Sequence, residues 1–136
     1  PGGSLAVPGG DAIVAPVNRC LERFTSHRLP VFASRDWHAV HHCSFREAGG
    51  PWPPHCIAGS AGAAFAAGLQ LPRDATIVCK GIAPEREAYS AFDGTSLHAQ
   101  LRARHVLRLV VAGLATDYCV LSSVLDARAF FDGNLQ

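Results

Sequence analysis

Cys119 closes the stretch at 112–119, Ala-Gly-Leu-Ala-Thr-Asp-Tyr-Cys, where an apolar run gives way to polar residues. A strand, a tight turn and a helix starting near Asp117 would put its sulfur in the first helical turn. The positive end of the helix dipole lowers a thiol's pKa there and raises the thiolate fraction that attacks electrophiles. Backbone N–H groups of the same turn have no helical partner and can stabilise a developing oxyanion. A free cysteine can equally be a small buried hydrophobe, so position alone leaves both roles open. Lys80 is the one lysine in the sequence, beside eleven arginines, and it directly follows a second apolar run. Beside a thiolate its ammonium would stabilise negative charge and lower the thiol pKa further. At a strand end it could also be an ordinary solvated lysine.

A second set of chemistry-bearing residues lies between 36 and 55. Asp36, His38, His42 and His55 offer one carboxylate and three imidazoles, a donor set that suits zinc, iron or manganese. Asp36 and His38, two residues apart, share one side of an extended segment and can face one ion. His41 adjoins His42 and could take its place, and Cys43 and Cys56 are near enough to offer sulfur. A surface loop with incidental histidines is the alternative. Trp52 sits among Pro51, Pro53 and Pro54. A stiffened indole there could stack on a flat aromatic ligand or pin the loop by packing.

The elements that must position these groups follow from the apolar pattern. Ile13, Val14, Val17, Leu21 and Phe24 recur at helical spacing, so a helix is expected from Asp11, as its cap, to about His27. Leu29-Pro-Val-Phe-Ala-Ser reads as a short buried strand that delivers Arg35 and Asp36 to its carboxyl end. Residues 37–60 show no sustained periodicity, and a loop of that length in a small domain is usually functional or disordered. A short helix is expected over 61–68, a strand over 75–79, an amphipathic helix over 96–104, a strand over 106–113 and a helix over 117–130. The strands are apolar along their length, which favours a parallel sheet covered by helices on both faces. In such α/β folds the site lies beyond the carboxyl ends of the strands. Asp36, Lys80 and the turn at Ala115 and Thr116 all fall there.

Bulk composition narrows the classes. With 136 residues and 49% hydrophobic content the chain is expected to form one domain, and a net charge of +1 gives no field to gather nucleic acid or an anionic membrane. No run approaches the roughly 18 apolar residues of a membrane span, and the first ten residues lack the pattern of a signal peptide. Five cysteines with no CxxC pair suggest free thiols in a reducing cytoplasm. The sequence holds no methionine, so Pro1 is expected to lie inside a longer protein.

Taken in order, Pro1-Gly-Gly-Ser-Leu-Ala-Val, Arg35-Asp-Trp-His38 with His42, Pro51-Trp-Pro-Pro-His-Cys56, Gly59-Ser60 with Gly62-Ala63, Lys80-Gly81, Tyr89-Ser-Ala-Phe92, Gly113-Leu-Ala-Thr-Asp-Tyr-Cys-Val120 and Asp126-Ala127 resemble the nicotinamidase branch of the isochorismatase-like hydrolases. The resemblance runs along nearly the whole chain. It implies an isochorismatase-like, Rossmann-like three-layer fold. It implies that Cys119 attacks the carboxamide carbon of nicotinamide with Lys80 as catalytic partner, and that ammonia leaves before water cleaves a thioester to nicotinic acid. Asp36, His38 and His55 correspond to the family's metal ligands, with His42 matching a further ligand of some members. The cofactor would be one divalent ion, zinc first, with iron or manganese as alternatives. Trp52, Tyr89, Tyr118 and Leu114 correspond to the ring pocket, Leu114-Ala115 to a cis peptide, and the N–H groups of Ala115 and Cys119 to the oxyanion hole.

The same resemblance places the family's first strand and its catalytic aspartate before Pro1, and a last strand and helix after Asp126-Ala127. The chain is therefore expected to be an incomplete domain that lacks the family's catalytic aspartate. Nicotinamide is the implied substrate and pyrazinamide its analogue, in the setting of NAD salvage; a homo-oligomer is possible. The competing readings are another isochorismatase-like amide hydrolase, a catalytically silent metal- or ligand-binding domain, and a fragment with no independent fold.

Overall fold

The computed structural model describes residues 3–132. Helix α1, Val14–Ser26, carries its apolar residues Val14, Val17, Leu21 and Phe24 on one half-buried stripe, as the spacing requires. Its start differs from the expectation at Asp11. The chain enters through a 3₁₀ turn at Gly10–Ile13, and the residue before the α-helix, Ile13, has no side chain able to cap it. Pro16 falls in the first turn, where a missing N–H costs nothing. Asn18 ties α1 to the loop at 66–70, donating to Gly68 O at 2.8 Å and accepting from Gln70 N at 2.9 Å.

Strands β1, Phe32–Asp36, and β2, Thr76–Lys80, pair in parallel. Their register sets Ala33 beside Ile77, Arg35 beside Cys79 and Asp36 beside Lys80. Trp37 N–H extends the ladder to Lys80 O at 2.9 Å. On the other edge of β1 the histidine-rich loop continues the pairing. His38 N–H donates to Cys56 O at 3.0 Å, and Ala58 N–H donates to His38 O at 2.8 Å. The stretch without periodicity is thus ordered by backbone hydrogen bonds rather than by a packed helix or strand.

The core lies on one face of β2. Val78, Ala91, Leu101 and Leu97 of helix α2 (Leu97–Ala103), and Phe130 of helix α3 (Leu121–Asp132), form one buried cluster, with Phe32, Phe92, Val106 and Leu109 packed against it.

Three expected elements are corrected. The helix over 61–68 is a single 3₁₀ turn, Ala61–Ala63; Gly62 and Gly68 weaken any helix there by about 1 kcal/mol each, and the segment has no apolar stripe to bury. Residues 106–113 form neither a helix nor a ladder among the described residues. Val106 and Leu109 reach the core while Leu107 stands 86% exposed and Val110 63%. A continuous apolar run signals a strand buried on both faces, but it forms a ladder only where a neighbouring backbone lies alongside. The helix expected from Asp117 also opens differently, as a π-helical turn over Thr116–Val120 that becomes regular at Leu121.

Candidate active site

The register of β1 and β2 sets Asp36 and Lys80 side by side at their carboxyl ends, and the two form an ion pair with Nζ 2.5 Å from Oδ1. Lys80 is only 4% exposed. Its remaining two protons reach Ala88 O at 2.9 Å and Cys119 Sγ at 3.5 Å. All three ammonium donors are thereby used, as burial of a charge requires. The lysine is no solvated strand end: it links the carboxylate at the end of β1 to the sulfur at the start of α3.

Burial pushes the Cys119 thiol up. The Lys80 ammonium pulls the other way and the Asp36 carboxylate adds to the rise, while hydrogen bonds from Lys80 and the Ala115 backbone N–H oppose it. The balance is upward, and this corrects the expectation of a lowered pKa. Desolvation outweighs the ammonium, and the first turn is a π-turn rather than a regular helix start. Ala115 is at the turn as expected, and the Leu114–Ala115 peptide bond is cis. Among the described residues the groups that reach the sulfur are Lys80 and Ala115 N–H; no carboxylate or imidazole contacts it.

The candidate metal-ligating histidines divide by which nitrogen is free. His38, 2% exposed, uses Nδ1 on Gly81 O at 3.0 Å. His55 uses Nδ1 on Pro53 O at 2.8 Å. A carbonyl only accepts, so both rings carry the proton on Nδ1 and leave the Nε2 lone pair open. One ligand atom each from Asp36, His38 and His55 can lie within 4.8 Å of the others. A ring anchored through its far N–H to a backbone carbonyl is the usual support for a metal-bound histidine. Burial also holds His38 below its ordinary pKa, opposed by the Gly81 bond and Asp36 and aided by His42 and His55, so it stays neutral. A carboxylate plus two imidazoles whose Nε2 atoms make no hydrogen bond to the protein fits a divalent ion such as zinc.

His42 is also fully buried, with its ring centroid 4.3 Å from that of His38. It differs from its neighbours in having both nitrogens engaged, by Ser44 and by Arg86 O. His41 is exposed, and Cys43 and Cys56 are free thiols outside the three-residue group. Cys56 nevertheless lies within electrostatic reach of Asp36, Lys80 and Cys119; burial pushes its thiol up.

The aromatic residues converge. Trp52 Nε1–H donates to Tyr89 Oη at 3.0 Å, and Tyr118 meets Trp52 edge-on at 5.2 Å and Tyr89 at 5.5 Å. Trp52 is therefore anchored by its indole N–H while its ring stays half-buried. Leu114, 39% exposed, lies beside the 3₁₀ turn Gly10–Ile13 that precedes α1, where a Cβ on Gly10 would come within 2.9 Å of Leu114 Cδ1.

Two supports escape a reading of residue types. Phe45, 1% exposed, packs its ring against His38, His42 and His55 and forms an apolar floor beneath all three. Gly81 has φ +61, and a Cβ there would sit 2.5 Å from His38 Cε1. Its place directly after Lys80 was the available signal.

Against this geometry the comparisons with known proteins are decisive for ancestry. Residues 1–129 match the Isochorismatase domain family. The chain belongs to the isochorismatase family. Within it, the chain is 39% identical to the nicotinamidase of Escherichia coli over 93% of its own length and 69% of that protein. A pyrazinamidase of Pyrococcus horikoshii solved in complex with zinc superposes with a TM-score of 0.92 at 46% identity, covering 96% of this chain and 72% of that one. An L. infantum protein solved in complex with nicotinate superposes with a TM-score of 0.85 at 38% identity, covering 96% and 67%. The fold is thus the family's parallel sheet flanked by helices. No helix among the described residues is long and apolar enough to cross a membrane.

Proposed function

We propose that this chain is a metal-assisted cysteine amidohydrolase that converts nicotinamide to nicotinic acid and ammonia. The observation that carries this reading is the bridge made by Lys80, whose ammonium touches Asp36 of the metal-ligating trio and the Cys119 sulfur together. Trp52, Tyr89 and Tyr118 offer flat and edge-on surfaces for a heteroaromatic ring. A divalent ion held by Asp36, His38 and His55 would supply a Lewis-acidic anchor for the ring nitrogen. The names of the E. coli relative and of the nicotinate complex support the substrate class, and pyrazinamide is the analogue of matching shape.

In this reading Cys119 Sγ forms a bond to the carboxamide carbon. The N–H groups of Ala115 and Cys119 hold the oxygen that becomes negative. The C–N bond then breaks and ammonia leaves with the thiol proton. Water next cleaves the C–S bond, releasing the carboxylic acid and restoring the thiol. Because burial keeps Cys119 protonated at rest, removing its proton is part of the reaction. Lys80 stabilises the thiolate so formed. The five free cysteines suit a cytosolic setting, where such an amidase would serve pyridine-nucleotide salvage.

A second reading is favoured by one observation: no carboxylate or imidazole among the described residues contacts the sulfur to take its proton. The chain would then be a silent metal- or ligand-binding module. Ammonia release from nicotinamide by the zinc-loaded chain, abolished in Cys119→Ala, supports the amidase. Binding of one zinc ion and of nicotinate with no turnover would leave the silent module standing.

A further inference from the structure

His42 differs from His38 and His55 in a way that residue types alone conceal. Its Nε2 lies 3.1 Å from Arg86 O, which can only accept, so Nε2 carries the ring proton. Its Nδ1 lies 2.7 Å from Ser44 Oγ and 3.2 Å from Ser44 N, and both are donors to its lone pair. Every hydrogen-bonding position of the ring is therefore used, at 0% exposure. Its proton sits on the nitrogen opposite to that in His38 and His55. Binding an ion would require His42 to abandon either the Ser44 pair or the Arg86 carbonyl inside a dry site, leaving those buried groups unpaired.

The bonds it makes have a direction. Cys43 N–H donates to Pro84 O at 2.6 Å, so residues 42 and 43 together clasp 84–86. Two residues further on, Ala88 O accepts from Lys80 Nζ, and Tyr89 Oη accepts from Trp52 Nε1–H.

We propose that His42 is a positioning residue and not a metal ligand: it pins residues 84–86 to the metal loop and so sets where Ala88 holds Lys80 and where Tyr89 meets Trp52. This rests on the Asp36, His38 and His55 site of the proposed function. A site with two imidazoles and one carboxylate keeps coordination positions open for water or substrate, as a catalytic site needs.

The test uses zinc and ring-nitrogen NMR on the whole chain. In the metal-free protein, long-range proton–nitrogen correlations are expected to show the Nε2–H form for His42 and the Nδ1–H form for His38 and His55. Added zinc is expected to shift the Nε2 resonances of His38 and His55 and to leave both nitrogens of His42 in place. A zinc-induced shift at His42 of the size seen at His38 would overturn the proposal. Should zinc shift none of the three, the metal reading fails, and the role of His42 is then decided by its variants.

His42→Ala is expected to bind zinc within about threefold of the parent, against the 10–100-fold loss typical when even a supporting group is removed. It is also expected to move the Trp52 indole N–H resonance and to weaken nicotinate binding by about tenfold. His42→Gln, which restores a donor to Arg86 O, should recover most of both. If the Trp52 resonance and nicotinate affinity are unchanged in His42→Ala, or if His42→Gln recovers neither, His42 does not position this segment. Should His42→Ala fail to fold, the parent spectra and His42→Gln still decide the question.

Discussion

The two halves of the site are built on unlike foundations. Asp36, Lys80 and the histidine loop stand on a paired ladder, continued on its far edge by the loop's own backbone, over an apolar floor of Phe45. Cys119 follows residues 106–113, which form no ladder among the described residues and turn apolar side chains toward solvent. The first half fixes its side chains through neighbours in the same layer. The second holds its sulfur mainly through one lysine reaching across from the first. Chemistry at a strand end is only as well placed as the hydrogen bonds beneath it, and these halves differ most there.

The sharpest way to break the ordered half is at Gly81. A Cβ there meets the His38 ring at 2.5 Å on a backbone with φ +61, so steric conflict and left-handed strain add. Gly81→Ala is expected to lower unfolding stability by about 3 kcal/mol or more, and to weaken zinc binding by about tenfold or more because His38 loses its seat. Denaturant titration and calorimetric zinc binding measure both. A stability change below about 1 kcal/mol with unaltered zinc affinity would show that the close approach is not a constraint.

The contrast also predicts unequal costs for equal deletions. Leu101, wholly buried, and Leu107, 86% exposed, are six positions apart with identical side chains. Leu101→Ala is expected to destabilise by about 3 kcal/mol, as buried leucines do. Leu107→Ala should stay within about 0.5 kcal/mol. Amide exchange should follow the same division, with β1 and β2 protected and 106–113 exchanging early. Comparable losses at both leucines would mean that 106–113 is packed in solution.

How far the sequence disclosed this division is instructive. Asp36, Lys80 and Cys119 were legible because a charged or nucleophilic residue directly after an apolar run is conspicuous, and parallel sheets put their sites at such ends. The same signal overstates a strand at 106–113: an apolar run records what a segment is suited to pair with, not whether a partner lies beside it. The engagement of His42 depends on Arg86, forty-four residues away, and the floor at Phe45 depends on the stretch 38–45 meeting His55. No local spacing encodes either. The pKa of Cys119 was expected in the wrong direction because burial, which decides it, is a property of the packed chain.

The lysine bridge between the halves can be probed by its charges. Asp36 raises the Cys119 pKa and Lys80 lowers it, beneath a larger upward push from burial. Alkylation by iodoacetamide should therefore be slow at neutral pH and rise only above the ordinary thiol range of about 8.5. Lys80→Met removes the lowering charge and should slow alkylation at pH 8 several-fold; Asp36→Asn removes a raising charge and should speed it. Cysteine-specific mass mapping separates Cys119 from the other four thiols. If both variants shift the rate the same way, the sulfur responds to a general loosening rather than to the Asp36–Lys80 pair.

The smallest expected effect lies at α1, which shares features of both halves. Its apolar stripe is half-buried, like the segment without a ladder, yet it is tied down by a defined polar contact, like the histidine-rich loop. Asn18 alone satisfies a backbone acceptor at Gly68 and a backbone donor at Gln70. Both contacts are exposed, so water can replace them, and Asn18→Ala should cost only about 1 kcal/mol. Because alanine favours the helix over asparagine by up to about 0.7 kcal/mol, part of that loss is offset. The more telling readout is local. Amide exchange at Gln70 should accelerate while β1 and β2 keep their protection, if α1 docks through this residue and not through its apolar stripe. Unchanged exchange at Gln70 would mean that the stripe, half-buried as it is, already holds the helix.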